Sequence, residues 1–208
     1  MKTKFTHKKM IKVIAALVML ISFYQKTNAQ LLDSLTLDSL APYTSIEEGL
    51  KHPELVIKLE LRKKKLKKFP IEILQFTNLQ YLDLSRNDIE ELPDEIGQLK
   101  NLQYFAISKN GLQELPPQIG NLKNLYYLEI NNNELTALPW EIGKLEKLRS
   151  LDLWSNNIDK FPDQIKDLKN LRFMDLRVIM IPDKEQARVQ AMLPNTKIEF
   201  SPFCKCEQ

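Results

Sequence analysis

Glycine, histidine and cysteine are scarce in this 208-residue chain, with five, two and two copies. No Gly-rich phosphate loop, HExxH or GxSxG pattern is present, and these are patterns through which nucleotide-binding, metalloprotease and serine-hydrolase chemistry become legible in a sequence. His52, directly before Pro53, has no Ser or Cys at motif spacing to serve, so it reads as part of a capping segment and not as a general base. The sequence therefore predicts a non-enzymatic protein with no catalytic residues, no metal and no cofactor.

Acid is missing from the amino-terminal stretch. Residues 1–29 carry six lysines and no Asp or Glu, and the lysines up to Lys12 precede an apolar run from Val13 to Tyr24. The run is shorter than the roughly 20 residues a bilayer crossing requires. With Thr27-Asn28-Ala29 behind it, the pattern predicts a secretory signal peptide over 1–29, cut before Gln30. An uncleaved anchor is the alternative. The rest of the chain has 24 basic and 27 acidic residues, net −3 against +3 for the whole sequence, so the basic balance belongs to the leader. No later segment approaches a membrane span. Cys204 and Cys206 offer two sulfurs where a closed zinc site takes four ligands; in an exported chain they bridge locally, pair with another chain or stay free.

Leucine is what the chain has in excess, at 34 residues. It is spaced with a period of 23, opening at Val56, Leu79, Leu102, Leu125 and Leu148, with a truncated copy from Leu171. Positions 1, 4, 6, 11, 14, 18 and 21 of the unit hold only Leu, Ile, Val or Phe in all five full copies. Positions 3 to 7 alternate out and in, which is strand periodicity, and one such strand cannot bury its inner side chains alone. Stacked copies can: each 23-residue turn lays its strand beside the last at about 4.8 Å, giving a parallel sheet with a leucine-lined inner face. Pro70, Pro93, Pro116, Pro139 and Pro162 recur at position 15, where fixed φ suits the start of a helical turn on the opposite side. Asn87, Asn110, Asn133 and Asn156 recur at position 9, just where the chain turns inward, and are expected to form an internal ladder satisfying buried backbone groups.

The unit resembles the leucine-rich repeat family, LxxLxLxxNxL, in the variety that continues LPxxIGxLxxL. That resemblance implies an α/β solenoid: right-handed and curved, with a parallel β-sheet on the concave face and short helical or irregular turns on the convex face. It also implies a binding role toward proteins. The expected organisation is a signal peptide over 1–29, a linker over 30–42, an amino-terminal cap over 43–55, five repeats over 56–170, and a partial sixth repeat with a carboxyl-terminal cap over 171–208. Ser45-Ile46-Glu47-Glu48 is a capping-box sequence, predicting a short helix that stops near Pro53. Asp183 to Met192 reads as a helix and Lys197 to Phe200 as a closing strand. Residues 30–41 read as a tether, or as leucines packed under the first cap.

The outward positions carry the candidate partner surface. Tyr81, Tyr104 and Tyr127 stand at position 3 of successive strands, followed by Ser150 and Phe173, with Trp154 at position 7. Exposed aromatics offer stiff amphipathic contact area of the kind interface hot spots use; mutual support across the sheet is the plainer reading. Position 5 carries Glu60, Asp83, Glu129, Asp152 and Asp175, an acidic column that favours cationic partners. The partner-binding set is therefore Tyr81, Asp83, Tyr104, Tyr127, Glu129, Asp152, Trp154 and Phe173. The expected partner is a protein or peptide, bound by a secreted, periplasmic or cell-surface monomer, with a carbohydrate or cell-envelope component as the alternative. Nucleic acid is not expected, since export and the acids argue against it, although Arg62, Lys63, Lys64, Lys65, Lys67 and Lys68 make a basic edge.

Overall fold

Every inward leucine position of the repeat ends in one continuous core. Leu59, Leu82, Phe105, Leu128, Leu151 and Met174 have no exposed surface and face each other in register. The computed structural model describes residues 30–201, and the expected leader over 1–29 and the Cys204/Cys206 pair lie outside the described residues. Asp33 onward forms one unit. Its sheet is seven-stranded and wholly parallel, in sequence order: β1 (Lys58–Glu60), β2 (Tyr81–Asp83), β3 (Tyr104–Ala106), β4 (Tyr127–Glu129), β5 (Ser150–Asp152), β6 (Phe173–Leu176) and β7 (Lys197–Phe200). This is the stacked parallel sheet that the 23-residue period predicts, in the solenoid arrangement that the resemblance implies.

Most strands are only three residues long, shorter than the five-residue alternation, although ladder hydrogen bonds run on past them, as from Leu84 N to the Ala106 carbonyl at 2.8 Å. What ends each strand is position 8, where Lys63, Arg86, Lys109, Asn132, Ser155 and Val178 all adopt left-handed φ between 53° and 60°. That kink turns the chain toward the core and points the next residue inward. The next residue is Asn in four copies. Asn133 Oδ1 accepts from Leu112 N at 3.1 Å, while its Nδ2 donates to the Ile107 carbonyl of the preceding turn at 3.0 Å and to its own Ile130 carbonyl at 2.9 Å. Asn87, Asn110 and Asn156 repeat the pattern.

On the opposite side each repeat makes a five-residue 3-10 turn capped by its position-15 proline, as Pro116 caps Pro117–Asn121. Successive turns approach closely. A Cβ at Gly120 would stand 2.6 Å from the Glu141 carbonyl, and one at Gly143 would collide with Gln164, so glycine is required by space and not by φ. A second asparagine series, not expected from the sequence, fastens the same side: Asn101, Asn124 and Asn170 at position 23 each donate to a carbonyl of the preceding repeat, and Asn78 to the Glu54 carbonyl of the cap, at 2.7–2.8 Å.

Further elements flank the repeats at both ends. Tyr43 extends the sheet beyond β1, its N–H donating to the Lys58 carbonyl and its carbonyl accepting from Glu60 N, each at 2.9 Å; this removes the exposed edge. Helix α1 (Ser34–Ser39) precedes it, followed by α2 (Ile46–Gly49), whose N-cap Ser45 accepts from Glu48 N at 3.3 Å. Instead of running to Pro53, α2 stops at Gly49, where a side chain would meet the Phe76 ring at 2.8 Å, and a 3-10 turn follows over Pro53–Leu55. At the other end α3 (Asp183–Met192) is pinned through Arg188, which bonds Asp163 at 2.6 Å and Glu185 at 2.7 Å, and β7 closes the sheet.

The segment read as a tether over 30–41 is structured in part. Asp33 caps α1 by accepting from Thr36 N at 3.0 Å, and Leu37 is only 4% exposed. Its leucine goes to the open face of the sheet, for the reason given next.

Candidate interaction surface

Position 3 builds one column across the whole sheet. In register order it is Lys58, Tyr81, Tyr104, Tyr127, Ser150, Phe173 and Lys197. Tyr81 and Tyr104 stack, with ring centroids 4.2 Å apart and planes 3° from parallel, whereas Tyr127 tilts 41° away at 6.1 Å. Tyr81 and Tyr104 are half-buried; Tyr127 is 39% exposed. The aromatic set thus divides its labour, with a stacked pair inside and one ring offered to solvent.

Lysines close the column at both ends. Lys58 Nζ stands 4.5 Å over the Tyr81 ring and 3.8 Å from Glu60, and Lys197 Nζ stands 5.7 Å over Phe173 and 2.7 Å from Glu199. The sequence reading left both lysines out of the set, although Lys58 occupies position 3 of the first repeat. Its signal was visible in the period itself.

The acid column is less uniform than its sequence suggests. Asp83 is fully buried and bonds Arg62 at 2.8 Å and the Ser85 N–H at 2.8 Å. Asp175 is buried and bonds Arg177 at 2.6 Å; the Arg177 hydrogen bonds and charge outweigh burial and hold its carboxyl below the usual range. These two acids are already neutralised. Among the described residues Glu129 and Asp152 form no ion pair, and they face each other on β4 and β5. Burial, ahead of neighbouring carboxylates, pushes Glu129 up, against the hydrogen bond with the Tyr104 hydroxyl and the charge of Arg62. Burial likewise raises Asp152, although it accepts from Trp154 N at 3.0 Å and from Asn131 Nδ2 at 2.6 Å.

Helix α1 forms a wall beside this centre. Ser34, Leu37 and Asp38 of α1, with Tyr104, Tyr126, Tyr127 and Glu129 of the sheet, enclose a cleft of about 310 Å³. Lys58 Nζ donates to the Asp38 carbonyl at 3.0 Å, which ties α1 to the column. Of the expected set, Tyr104, Tyr127 and Glu129 line this cleft, with Asp152 paired to Glu129 across the sheet and Trp154 two residues past the end of β5. Tyr81 and Asp83 belong to the supporting end, and Phe173 to the far end.

A family profile for leucine-rich repeat regions matches residues 55–193. The chain belongs to the leucine-rich repeat family. Among solved structures it is similar to a leucine-rich repeat protein of Leptospira interrogans, at 33% identity and a TM-score of 0.62, covering 78% of this chain and 49% of that one. It is similar also to internalin C2 of Listeria monocytogenes, at 26% identity and a TM-score of 0.61, covering 73% of this chain and 64% of that one. A third is the plant peptide hormone receptor RGFR1 in complex with RGF2, at 30% identity and a TM-score of 0.55, covering 64% of this chain and 22% of the receptor. The chain spans about half the length of the leptospiral protein. No curated protein matches the sequence. The leucine-rich repeat fold points to a role in protein interaction. No helix among the described residues is long and apolar enough to cross a membrane.

Proposed function

We propose that this leucine-rich repeat chain is an exported, non-enzymatic binding protein that takes a protein or peptide partner on the open, concave face of its sheet. The observation that carries the reading is the exposed Tyr127 ring beside the Glu129/Asp152 pair, at the centre of a column in which Lys58 covers Tyr81, Tyr81 stacks on Tyr104 and Lys197 covers Phe173. A rigid aromatic anchor next to carboxylates that form no ion pair among the described residues is the composition of an interface hot spot. The cleft between α1 and the sheet adds concavity where that anchor stands. Export rests on the lysine-rich leader, and amino-terminal sequencing of the released protein should begin at Gln30.

Site-specific cross-linking tests the face. A photoreactive phenylalanine analogue placed at Tyr127, and another at Trp140 on the convex turns, report which side a partner occupies. Polypeptide adducts at 127 and none at 140 are expected. A carbohydrate adduct at 127 would favour the cell-envelope alternative, and adducts at 140 alone would place the site on the convex side.

A further inference from the structure

The two ends of the position-3 column show what this surface does with a cation. At one end an ammonium stands over Tyr81 with Glu60 beside it; at the other an ammonium stands over Phe173 with Glu199 beside it. In both, the ring sits at position 3, the cation comes from position 3 of the adjoining strand, and the carboxylate lies at position 5 of the cation's own strand. The arrangement combines the attraction of a cation to an aromatic face with a charge-assisted pair.

The same two elements recur at the centre with no cation in contact, the charges of Arg62 and Arg177 acting on Glu129 and Asp152 only from a distance. Tyr127 supplies the ring, and Glu129 on its own strand and Asp152 on the next supply carboxylates. The adjoining position 3 is Ser150, which carries no charge and is too short to cover the ring. Among the described residues no Lys or Arg side chain stands over Tyr127 or pairs with Glu129 or Asp152. The nearby Arg149 lies over Tyr126, 5.1 Å from its centroid. Tyr127 is correspondingly the exposed ring of the three.

Resting on the proposed open-face reading, we infer that this centre is a subsite for the cationic side chain of a Lys or Arg residue in the partner. The ammonium or guanidinium lies over the Tyr127 ring and pairs with Glu129 and Asp152. The flanking chain runs in the cleft against α1, where Leu37 gives apolar contact and Asp38 a third acid. The size of the cleft, about 310 Å³, is at the small end of ligand sites and suits one long side chain with its backbone.

The test uses four acetylated and amidated pentapeptides, Gly-Ser-X-Ser-Gly with X as arginine, citrulline, lysine or norleucine. They are titrated into the protein from Gln30 onward, with tyrosine ring resonances as the readout. Citrulline keeps the shape of arginine without its charge, as norleucine does approximately for lysine. The charged peptides should bind about tenfold more tightly than their neutral counterparts and weaken as salt rises. Glu129→Gln, which keeps the volume, should remove most of that difference, as should Tyr127→Leu; Glu141→Gln on the convex turn should leave it intact. Urea unfolding of each variant separates lost binding from lost fold. Equal shifts by the arginine and citrulline peptides, no shift by either, or an unaltered Glu129→Gln variant overturns the cation subsite. Should that happen while position 127 still cross-links a polypeptide, the open face stands and only its chemistry is wrong.

Discussion

The rings of Tyr81 and Tyr104 lie 4.2 Å apart and 3° from parallel, on strands paired in register. Stacking of this kind contributes about 0.5–1.5 kcal/mol beyond the area it buries. A double-mutant cycle with Tyr81→Leu and Tyr104→Leu should return a coupling of that size in urea unfolding, whereas a Tyr81/Phe173 cycle across the sheet should return none. Burial also pushes the Tyr81 phenol up to about 12 from an ordinary 10, with the nearby Asp83 and Glu60 charges adding to the effect, and raises Tyr104 as well. The folded state therefore holds these protons more tightly than the unfolded chain. Stability should be unaffected by the pair below pH 10 and fall as pH rises through 12.

Asn133 replaces three backbone partners at once, and it is 7% exposed. Asn133→Ala should cost about 1–3 kcal/mol by leaving the Leu112 N–H and two carbonyls unpaired. A residue at a plain surface turn would cost a few tenths. Equilibrium urea unfolding decides between these values, and a midpoint within error of the parent would show that water satisfies the groups instead.

Val178 holds a left-handed φ of 57° that its branched side chain disfavours. The same position carries Asn132 and Ser155 in earlier repeats. Because Val178 is 60% exposed, little burial is lost on replacement. Val178→Asn should raise stability by about 1 kcal/mol; an unchanged or lower melting temperature would show that the left-handed φ stores no strain at this position.

Glu129 and Asp83 should respond oppositely to loss of charge. Burial raises the Glu129 carboxyl above 4.5, so the fold favours its neutral form and ionising it costs stability as pH rises through the folded value. Glu129→Gln should therefore unfold at an equal or higher urea concentration at pH 7, with the advantage disappearing below pH 4.5, where the parent carboxyl is protonated in both states. Asp83→Ala strands Arg62 and the Ser85 N–H. It should cost about 2 kcal/mol, less than a wholly buried pair because Arg62 is half exposed.

The closing helix from Asp183 was legible from its flanking Pro182 and Pro194, and the strand from Lys197 from the stretch after Pro194, while the 23-residue period by itself determined the solenoid, the inward set and the proline-capped turns. It did so because each of these is a local consequence of spacing: alternation makes a strand, and a strand apolar on one side must find a neighbour. The positions of the two asparagine series were equally visible, but only the inner one carried a reason to be noticed. Position 23 lies outside the hydrophobic pattern that drew attention to the unit.

Which outward residues matter was decided by tertiary structure alone. Asp83 and Asp175 look like Glu129 and Asp152 in the sequence, yet arginines at position 7, in the preceding repeat for one and the same repeat for the other, take up the first two charges. Tyr81 and Tyr104 look like Tyr127, yet mutual stacking leaves them half-buried where Tyr127 is exposed. Helix α1 lies far upstream in the chain of Tyr104 and Tyr127, which it approaches, and the two copies of Leu-Asp-Ser-Leu over 32–40 make no periodicity long enough to reveal where it docks. Spacing reports only what a residue does along its own chain; pairing of charges, stacking of rings and the seat of a short helix depend on which side chains the fold brings together from distant turns.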